Sequence, residues 1–162
     1  MLKIVIDTNI WISILLKGRF SLPVLDAWKE NKFQLVISQS LLDELDEVCR
    51  RPRLKKYIVP EEAKDLLEQI SWKGLMTELK TIPPRCRDPK DHPVLATAID
   101  GQADAIVSGD TDLQADDNLK SKMADYGVNF WDINMLLTKL SCVFQCRTCM
   151  KGRFEITAEA VL

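Results

Sequence analysis

Carboxylates follow two apolar runs that are typical of buried strands. Asp7 comes directly after Leu2–Ile6, and Asp110 and Asp112 come just after Asp104–Ser108. Runs rich in Val and Ile favour central strands of a parallel sheet. Ligand sites in open α/β sheets form beyond the carboxyl ends of the strands, so these acids are expected to share one edge.

Two further acidic segments can reach that edge. Asp91 lies at or just before the start of a predicted helix of about residues 92–102. A second helix is predicted for 41–51, and there Glu44 and Asp46 flank the apolar arc, each about 100° from its centre. Periodicity reduces the choice on this helix to these two acids and does not decide between them.

Carboxylates gathered at one edge raise one another's pKa, and a hard divalent cation with oxygen ligands removes that repulsion. Mg²⁺ or Mn²⁺ in such a site suits phosphodiester hydrolysis, because the cation lowers the pKa of a water molecule and neutralises phosphoryl oxygens. No histidine base is then needed. The single histidine, His92, precedes a proline and is expected to begin a helix.

Each acid also has an ordinary structural interpretation. Asp7 can cap the following helix, and Asp88 and Asp91 can cap the helix near residue 92. Asp110 and Asp112 can simply form a turn. The catalytic hypothesis therefore depends on whether the fold brings these side chains together.

The order of predicted elements indicates one α/β domain. Further strands are predicted at Phe33–Ile37, Thr77–Ile82 and Val128–Trp131, with helices between them. This order requires a three-layer αβα architecture with a central, mostly parallel sheet of four or five strands. We assign residues 1–140 to this domain and 141–162 to an extension that packs on it or at a subunit contact.

Three segments together resemble the PIN-domain ribonucleases, most closely the group assigned as toxins of toxin–antitoxin systems. They are IVIDTNIWIS at 4–13, SQSLLDELDEVCRRPRL at 38–54 and CRDPKDHPVLATAIDGQADAIVSGDTDL at 86–113. The resemblance extends from residue 1 to about residue 140. It implies an endoribonuclease that depends on Mg²⁺ or Mn²⁺, usually a homodimer, with an antitoxin blocking the site.

The resemblance also implies roles for individual residues. The catalytic and metal-binding acids are Asp7, Glu44, Asp91 and Asp110, which selects Glu44 over Asp46, and Asp112 is an accessory metal ligand. Polar side chains at Thr8, Asn9 and Ser108 brace the carboxylates by hydrogen bonding.

Charge is compatible with an RNA substrate. The formal net charge is −2, from 24 acidic and 22 basic residues. Setting aside the five implied metal ligands leaves 19 acidic residues, so the remaining surface is mildly basic. Residues near two of the acidic segments are candidate phosphate contacts: Arg53, Lys55, Lys56, Arg85 and Arg87. Arg50 and Arg51 could contact phosphates too, but an equally good explanation is that cations are favoured near the carboxyl end of a helix.

Composition favours a cytoplasmic protein without a membrane anchor. The 162 residues are 46% hydrophobic, and no apolar run approaches the roughly 20 residues that span a bilayer. The first residues do not form a secretory signal. The five cysteines are expected to be reduced.

The last segment contains Cys142, Cys146 and Cys149 in a C-x₃-C-x₂-C pattern. A structural zinc site normally needs four ligands, so an element that packs on the domain or at a subunit contact is favoured over a zinc site. Alternating apolar residues near the end of the chain suggest an added edge strand.

Two other functions compete with the nuclease hypothesis. A non-catalytic module that binds RNA or an antitoxin would need no intact acidic set. A phosphatase that uses a strand-end aspartate as nucleophile would want a second aspartate two residues later, and position 9 is Asn.

Overall fold

A five-stranded parallel sheet forms the centre of the molecule. The computed structural model describes residues 1–142. The strands occur in the spatial order β3-β2-β1-β4-β5, and every neighbouring pair is parallel. They are β1 (Lys3–Ile6), β2 (Gln34–Ile37), β3 (Leu75–Met76), β4 (Ala105–Val107) and β5 (Asn129–Trp131). The predicted αβα class is confirmed, and the five strands of residues 1–142 are all parallel.

Helices connect the strands and cover the sheet. They are α1 (Thr8–Leu15), α2 (Leu22–Lys29), α3 (Gln39–Cys49), α4 (Pro52–Lys55), α5 (Pro60–Lys73), α6 (His92–Asp100), α7 (Thr111–Ala115), α8 (Asp117–Asp125) and α9 (133–142). A single 3-10 turn, Pro89–Asp91, precedes α6.

The central strands are apolar because both faces of the sheet are covered. Ile4, Val5 and Ile6 of β1 pair with Ala105, Ile106 and Val107 of β4, and all six are buried. This pairing fixes the register at the middle of the sheet. The residues that follow β1 and β4 must therefore emerge next to each other at the carboxyl edge.

Helix α6 is attached to the β2 side of the sheet at two points. The buried hydroxyls of Ser38 and Thr97 lie 2.8 Å apart in a hydrogen bond. At the far end of α6, Gly101 lies so close to β2 that an added Cβ would collide with the Val36 side chain. These two contacts determine the direction of the helix whose first residue follows Asp91.

The predicted strand Thr77–Ile82 is wrong. The strand in this region is the short β3, and residues 77–82 have no regular structure. The Asp100 carboxylate accepts hydrogen bonds from the Lys80 and Thr81 backbone N–H groups and from the Thr81 hydroxyl. Backbone donors that are bound to a carboxylate cannot also join a strand ladder.

The end of the chain lies outside the described residues. That applies to Cys146, Cys149, the predicted edge strand and the proposed extension from residue 143 onward. Cys142 is exposed in α9. Among residues 1–142, no helix combines the length and apolar character needed to cross a bilayer.

Gly101→Ala is expected to lower the free energy of unfolding by about 1–3 kcal/mol, because the added methyl group overpacks the contact with β2. Its Cβ would also lie 2.8 Å from the Thr97 carbonyl oxygen. Chemical denaturation measures the change.

Gly109→Ala is the matched control. Nothing lies within 4 Å of a Cβ built at Gly109. The control should be neutral or slightly stabilising, since alanine reduces the entropy of the unfolded chain. Equal stability of the two variants would contradict the close approach of α6 to β2.

Candidate active site

The ends of β1 and β4 place two of the predicted acids close together. The Asp7 backbone N–H donates to the Val107 carbonyl over 3.0 Å. The Ser108 hydroxyl donates to Asp7 Oδ2 over 2.8 Å and accepts from the Asp110 backbone N–H over 3.0 Å. Ser108 thus connects the carboxylate after β1 with the loop after β4.

Asp7 is a buried carboxylate, only 7% exposed. It occupies the N-cap position of α1, where the Thr8 and Asn9 backbone N–H groups are close to its carboxylate without meeting the geometry of a capping hydrogen bond. Burial raises the pKa of Asp7, and the charge of Asp110 adds to this, while the Ser108 hydroxyl and the backbone N–H groups of Asn9 and Thr8 lower it. A buried acid with a raised pKa is typical of functional sites.

Glu44 and Asp46 have different partners. The Thr8 hydroxyl donates to Glu44 Oε2 over 3.3 Å. Burial raises the pKa of Glu44, as does the charge of Asp7, whereas the Thr8 hydrogen bond and Arg51 lower it. Asp46 instead forms an ion pair with Arg50 over 3.0 Å. Of the two, Glu44 is the acid directed toward Asp7.

Asp91 adds a third carboxylate to this group. It closes the 3-10 turn before α6 and makes no capping hydrogen bond. Burial raises the pKa of Asp91 to about 6, with further contributions from the charges of Asp7, Asp88, Asp110 and Glu44. Asp88 does act as a cap, because its side chain accepts from the Lys90 backbone N–H over 3.0 Å.

Asp110 and Asp112 lie on the outer side of the group. Asp110 caps α7 by accepting from the Asp112 backbone N–H over 2.8 Å, and its charge raises the pKa of both Asp7 and Asp91. Asp112 is exposed and pairs with Arg87, with 3.5 Å between Nη1 and Oδ1.

A cavity of about 300 Å³ opens at this edge. Its polar lining consists of Arg87 and five acids: Asp88, Asp91, Asp110, Asp112 and Asp116. Asp116 was not predicted as a site residue. Its place in the sequence is typical of a helix cap. It does cap α8, because its side chain accepts a hydrogen bond from the Leu119 backbone N–H over 3.0 Å.

The three predicted bracing residues act in different ways. Thr8 and Ser108 donate side-chain hydrogen bonds to Glu44 and Asp7. Asn9 is exposed, and it is its backbone N–H that lowers the pKa of Asp7. Within the described chain, the Asn9 side chain forms no hydrogen bond.

The candidate phosphate contacts are all exposed on the surface, and one of them, Arg87, lies beside the acids. Arg87 lines the cavity, and Arg85 is exposed two residues before it. Arg53, Lys55 and Lys56 are exposed in and after α4, the short helix that follows α3.

A hydrated divalent cation fits the chemistry of these acids. In the described residues, no three His, Cys, Asp or Glu side chains form a ready-made metal-binding group. Mg²⁺ commonly keeps several waters and uses only one or two carboxylates, so a preformed cage is not required. The repulsion between Asp91 and the neighbouring carboxylates is what such an ion would relieve. The residues that would hold it are Asp7, Glu44, Asp91 and Asp110, with Asp112 at the rim.

Asp91→Asn is expected to raise the melting temperature of the metal-free protein at pH 7 by about 2–4 °C. The neutral amide no longer meets the charges of Asp7, Asp110 and Glu44. Solvent screening reduces the effect to on the order of 1 kcal/mol. Thermal unfolding with a chelator present measures it.

The increase in melting temperature caused by Asp91→Asn should depend on pH. Because the folded-state pKa of Asp91 is about 6 against an ordinary value of 3.8, the folded protein binds more protons than the unfolded chain between these values. Wild-type stability from this group therefore falls as pH rises through that window, and the advantage of Asp91→Asn disappears below it. Asp116→Asn, which preserves a capping oxygen in the same cavity, is the control. A lower melting temperature for Asp91→Asn would refute the repulsion.

Comparison with known proteins agrees with the architecture of this edge. Residues 3–112 match the family model described as PIN domain, and proteins of that family are generally nucleases that use divalent metal ions. The chain is also 33% identical over 115 residues to the uncharacterized protein MJ1680 of Methanocaldococcus jannaschii, covering 69% of this chain and 73% of that protein. The chain belongs to the PIN-domain family.

Proposed function

We propose that the protein is a metal-dependent endoribonuclease that hydrolyses RNA phosphodiesters. The observation that carries this proposal is the convergence of Asp7, Glu44, Asp91 and Asp110, three of which have raised pKa values. Structural acids normally have their charge compensated by partners, whereas these acids destabilise one another's charged forms. Such an arrangement is useful when a cation and a phosphate bind.

The chain's own residues would position the reaction. Ser108 holds one oxygen of Asp7, and Thr8 holds one oxygen of Glu44, so both carboxylates keep a fixed direction. Asp91 and Asp110 complete the oxygen ligands for Mg²⁺ or Mn²⁺. When bound, the cation supplies positive charge at the phosphoryl oxygens and lowers the pKa of water. Water adds to phosphorus as one bridging P–O bond breaks.

The basic residues would hold the RNA rather than react. Arg87 is the basic residue in the lining of the acidic cavity, and its ion pair with Asp112 is exposed to solvent. An exposed pair of this kind is weak, so Arg87 can exchange Asp112 for a substrate phosphate at little cost. Arg85, Arg53, Lys55 and Lys56 would supply further phosphate contacts that do not depend on base sequence.

The finer biological role that we propose is that of a cytoplasmic toxin in a toxin–antitoxin pair, acting as a homodimer. This role is supported by the resemblance of the three acidic segments to that group of PIN proteins. A non-catalytic module is disfavoured by the complete set of acids. A phosphatase of the strand-end type is disfavoured by Asn9, which offers no second carboxylate.

RNA cleavage tests the activity. We expect the wild-type protein to cleave single-stranded RNA in Mg²⁺ or Mn²⁺, with cleavage abolished by a chelator. Asp7→Asn should reduce the rate of RNA cleavage at least about 100-fold. The variant lacks a carboxylate that would bind the metal ion, and the hydrogen bonds that orient this side chain are altered as well. Gel analysis of end-labelled RNA gives the rates, and circular dichroism verifies the fold.

Glu44→Gln and Asp46→Asn form a matched pair on α3. The first should lose activity to the same extent as Asp7→Asn. The second should keep it within about twofold, since Asp46 contributes a surface ion pair of small energetic value. The nuclease assignment fails if Asp7→Asn cleaves as fast as wild type, or if no divalent metal supports cleavage.

Growth measurements test the toxin role separately. Expression of the wild-type chain should arrest growth, and Asp7→Asn should not. Co-expression of a small protein encoded beside this chain should restore growth, and that protein should co-purify with it. A gene with no such neighbour, or arrest by the Asp7→Asn variant, would contradict a toxin that acts through its nuclease site.

A further inference from the structure

The cations between residues 50 and 56 fall into two groups. Arg50 and Arg51 pair with acids one turn earlier on α3, at 3.0 Å to Asp46 and 3.6 Å to Glu47. The other three are exposed, and none has an ion-pair partner within 4.0 Å among residues 1–142; they are Arg53, Lys55 and Lys56. We name these three the basic tract. Their charge is available to an anionic ligand.

An exposed aromatic ring accompanies the basic tract. Tyr57 is 70% exposed and directly follows Lys56. Residues on both sides of it are anchored: Leu54 packs against the core, and Ile58 is buried. The backbone N–H groups of Tyr57 and Ile58 both donate to the Leu54 carbonyl, over 2.9 and 3.1 Å. The ring is therefore presented from a fixed turn.

The basic tract lies on the same side of the sheet as the acids. Helix α5 leads directly into parallel strand β3, so its last residue, Lys73, lies at the amino edge. Consistently, Lys73 Nζ donates to the Trp28 carbonyl at the end of α2 over 2.9 Å. The start of α5 is about 20 Å away, toward the carboxyl edge. The basic tract comes just before this start of α5 in the chain.

Charge also connects the tract with the acidic group. Arg51, the N-cap residue of α4, lowers the pKa of Glu44. Arg51 is two residues before the first residue of the basic tract in the chain.

We propose that the basic tract and Tyr57 bind a single-stranded segment of RNA, with the cations on the phosphates and an unpaired base stacked on the Tyr57 ring. This inference rests on the proposed function, and it assigns the surface that would hold the unpaired strand. An isolated exposed aromatic residue is ordinary on protein surfaces. Beside three unpaired cations it forms the combination of stacking platform and positive charge that single strands require. Bases in a duplex are stacked on each other and cannot use it.

Binding without cleavage tests the proposal. The full chain, in a chelator, is titrated into a fluorescein-labelled single-stranded RNA of twelve nucleotides and into a duplex of the same length. Tyr57→Ala should weaken binding of the single strand about tenfold, and Tyr57→Phe, which keeps the stacking face, should stay within about twofold of wild type. Binding of the duplex should be unaffected by either change.

Tyr126→Ala is the matched control. Tyr126 is 53% exposed at the end of α8, just before β5, and thus at the amino edge away from the acids. Its loss should leave RNA binding unchanged. Removing Lys55 and Lys56 together as glutamines should reduce the slope of log Kd against log salt by about 0.7 for each cation.

A second readout separates stacking from a purely structural effect. An RNA that contains 2-aminopurine should lose fluorescence when it binds the wild-type protein, and Tyr57→Ala should abolish that quenching even at saturating concentration. Equal affinity of wild type and Tyr57→Ala, or unchanged quenching, overturns the proposal and would leave Tyr57 as a contact for a protein partner. Cleavage that persists in that case keeps the nuclease assignment. Binding that depends on Tyr57 without any cleavage would refute the nuclease assignment alone.

Discussion

The parallel pairing of β1 with β4 is the constraint on which the candidate site depends. Because Ile6 of β1 pairs with Val107 of β4, the residues after both strands emerge at one edge of the sheet. Asp7 therefore comes within hydrogen-bonding distance of Ser108. The Asp110 loop is attached to the same serine. A shift of one residue in this register would turn each side chain to the other face of the sheet. Apart from Lys3 at the start of β1, both strands are apolar and buried, which leaves the chemistry to the residues just after them.

The charged forms of the acids at this edge lower the free energy of unfolding of the protein. Asp7, Glu44 and Asp91 all have raised pKa values, and in each case burial is the largest cause. The hydroxyls of Ser108 and Thr8 offset part of this effect at Asp7 and Glu44. Functional sites commonly store unfavourable interactions of this kind, and the well-packed sheet around them supplies the stability that tolerates it.

Much of the fold was predictable because the strong signals are local. The apolar runs at 3–6, 34–37 and 105–107 became strands, and Asp7 and Asp110 follow two of them at the predicted edge. The segment 77–82 was not predictable, because the Asp100 carboxylate that binds its backbone lies about twenty residues later. Helical periodicity places Glu44 and Asp46 at equal angles from the apolar arc. The long-range hydrogen bond between Glu44 and Thr8 distinguishes them, whereas Asp46 pairs with Arg50 one helical turn later. Asp116 looked like a simple cap, and its place in the acidic cavity depends on how α7 and α8 turn back.

The two attachments of α6 tie the position of Asp91 to β2 as well as to its own neighbours in the chain. Ser38 holds the middle of the helix, and the close approach of Gly101 to Val36 holds its end, so two points on the far side of Asp91 define the helix axis. On the near side, the Asp91 backbone N–H donates to the Asp88 carbonyl over 3.1 Å. Residues 82–85 lie outside all three contacts, so changes of length or charge there leave these restraints on Asp91 in place.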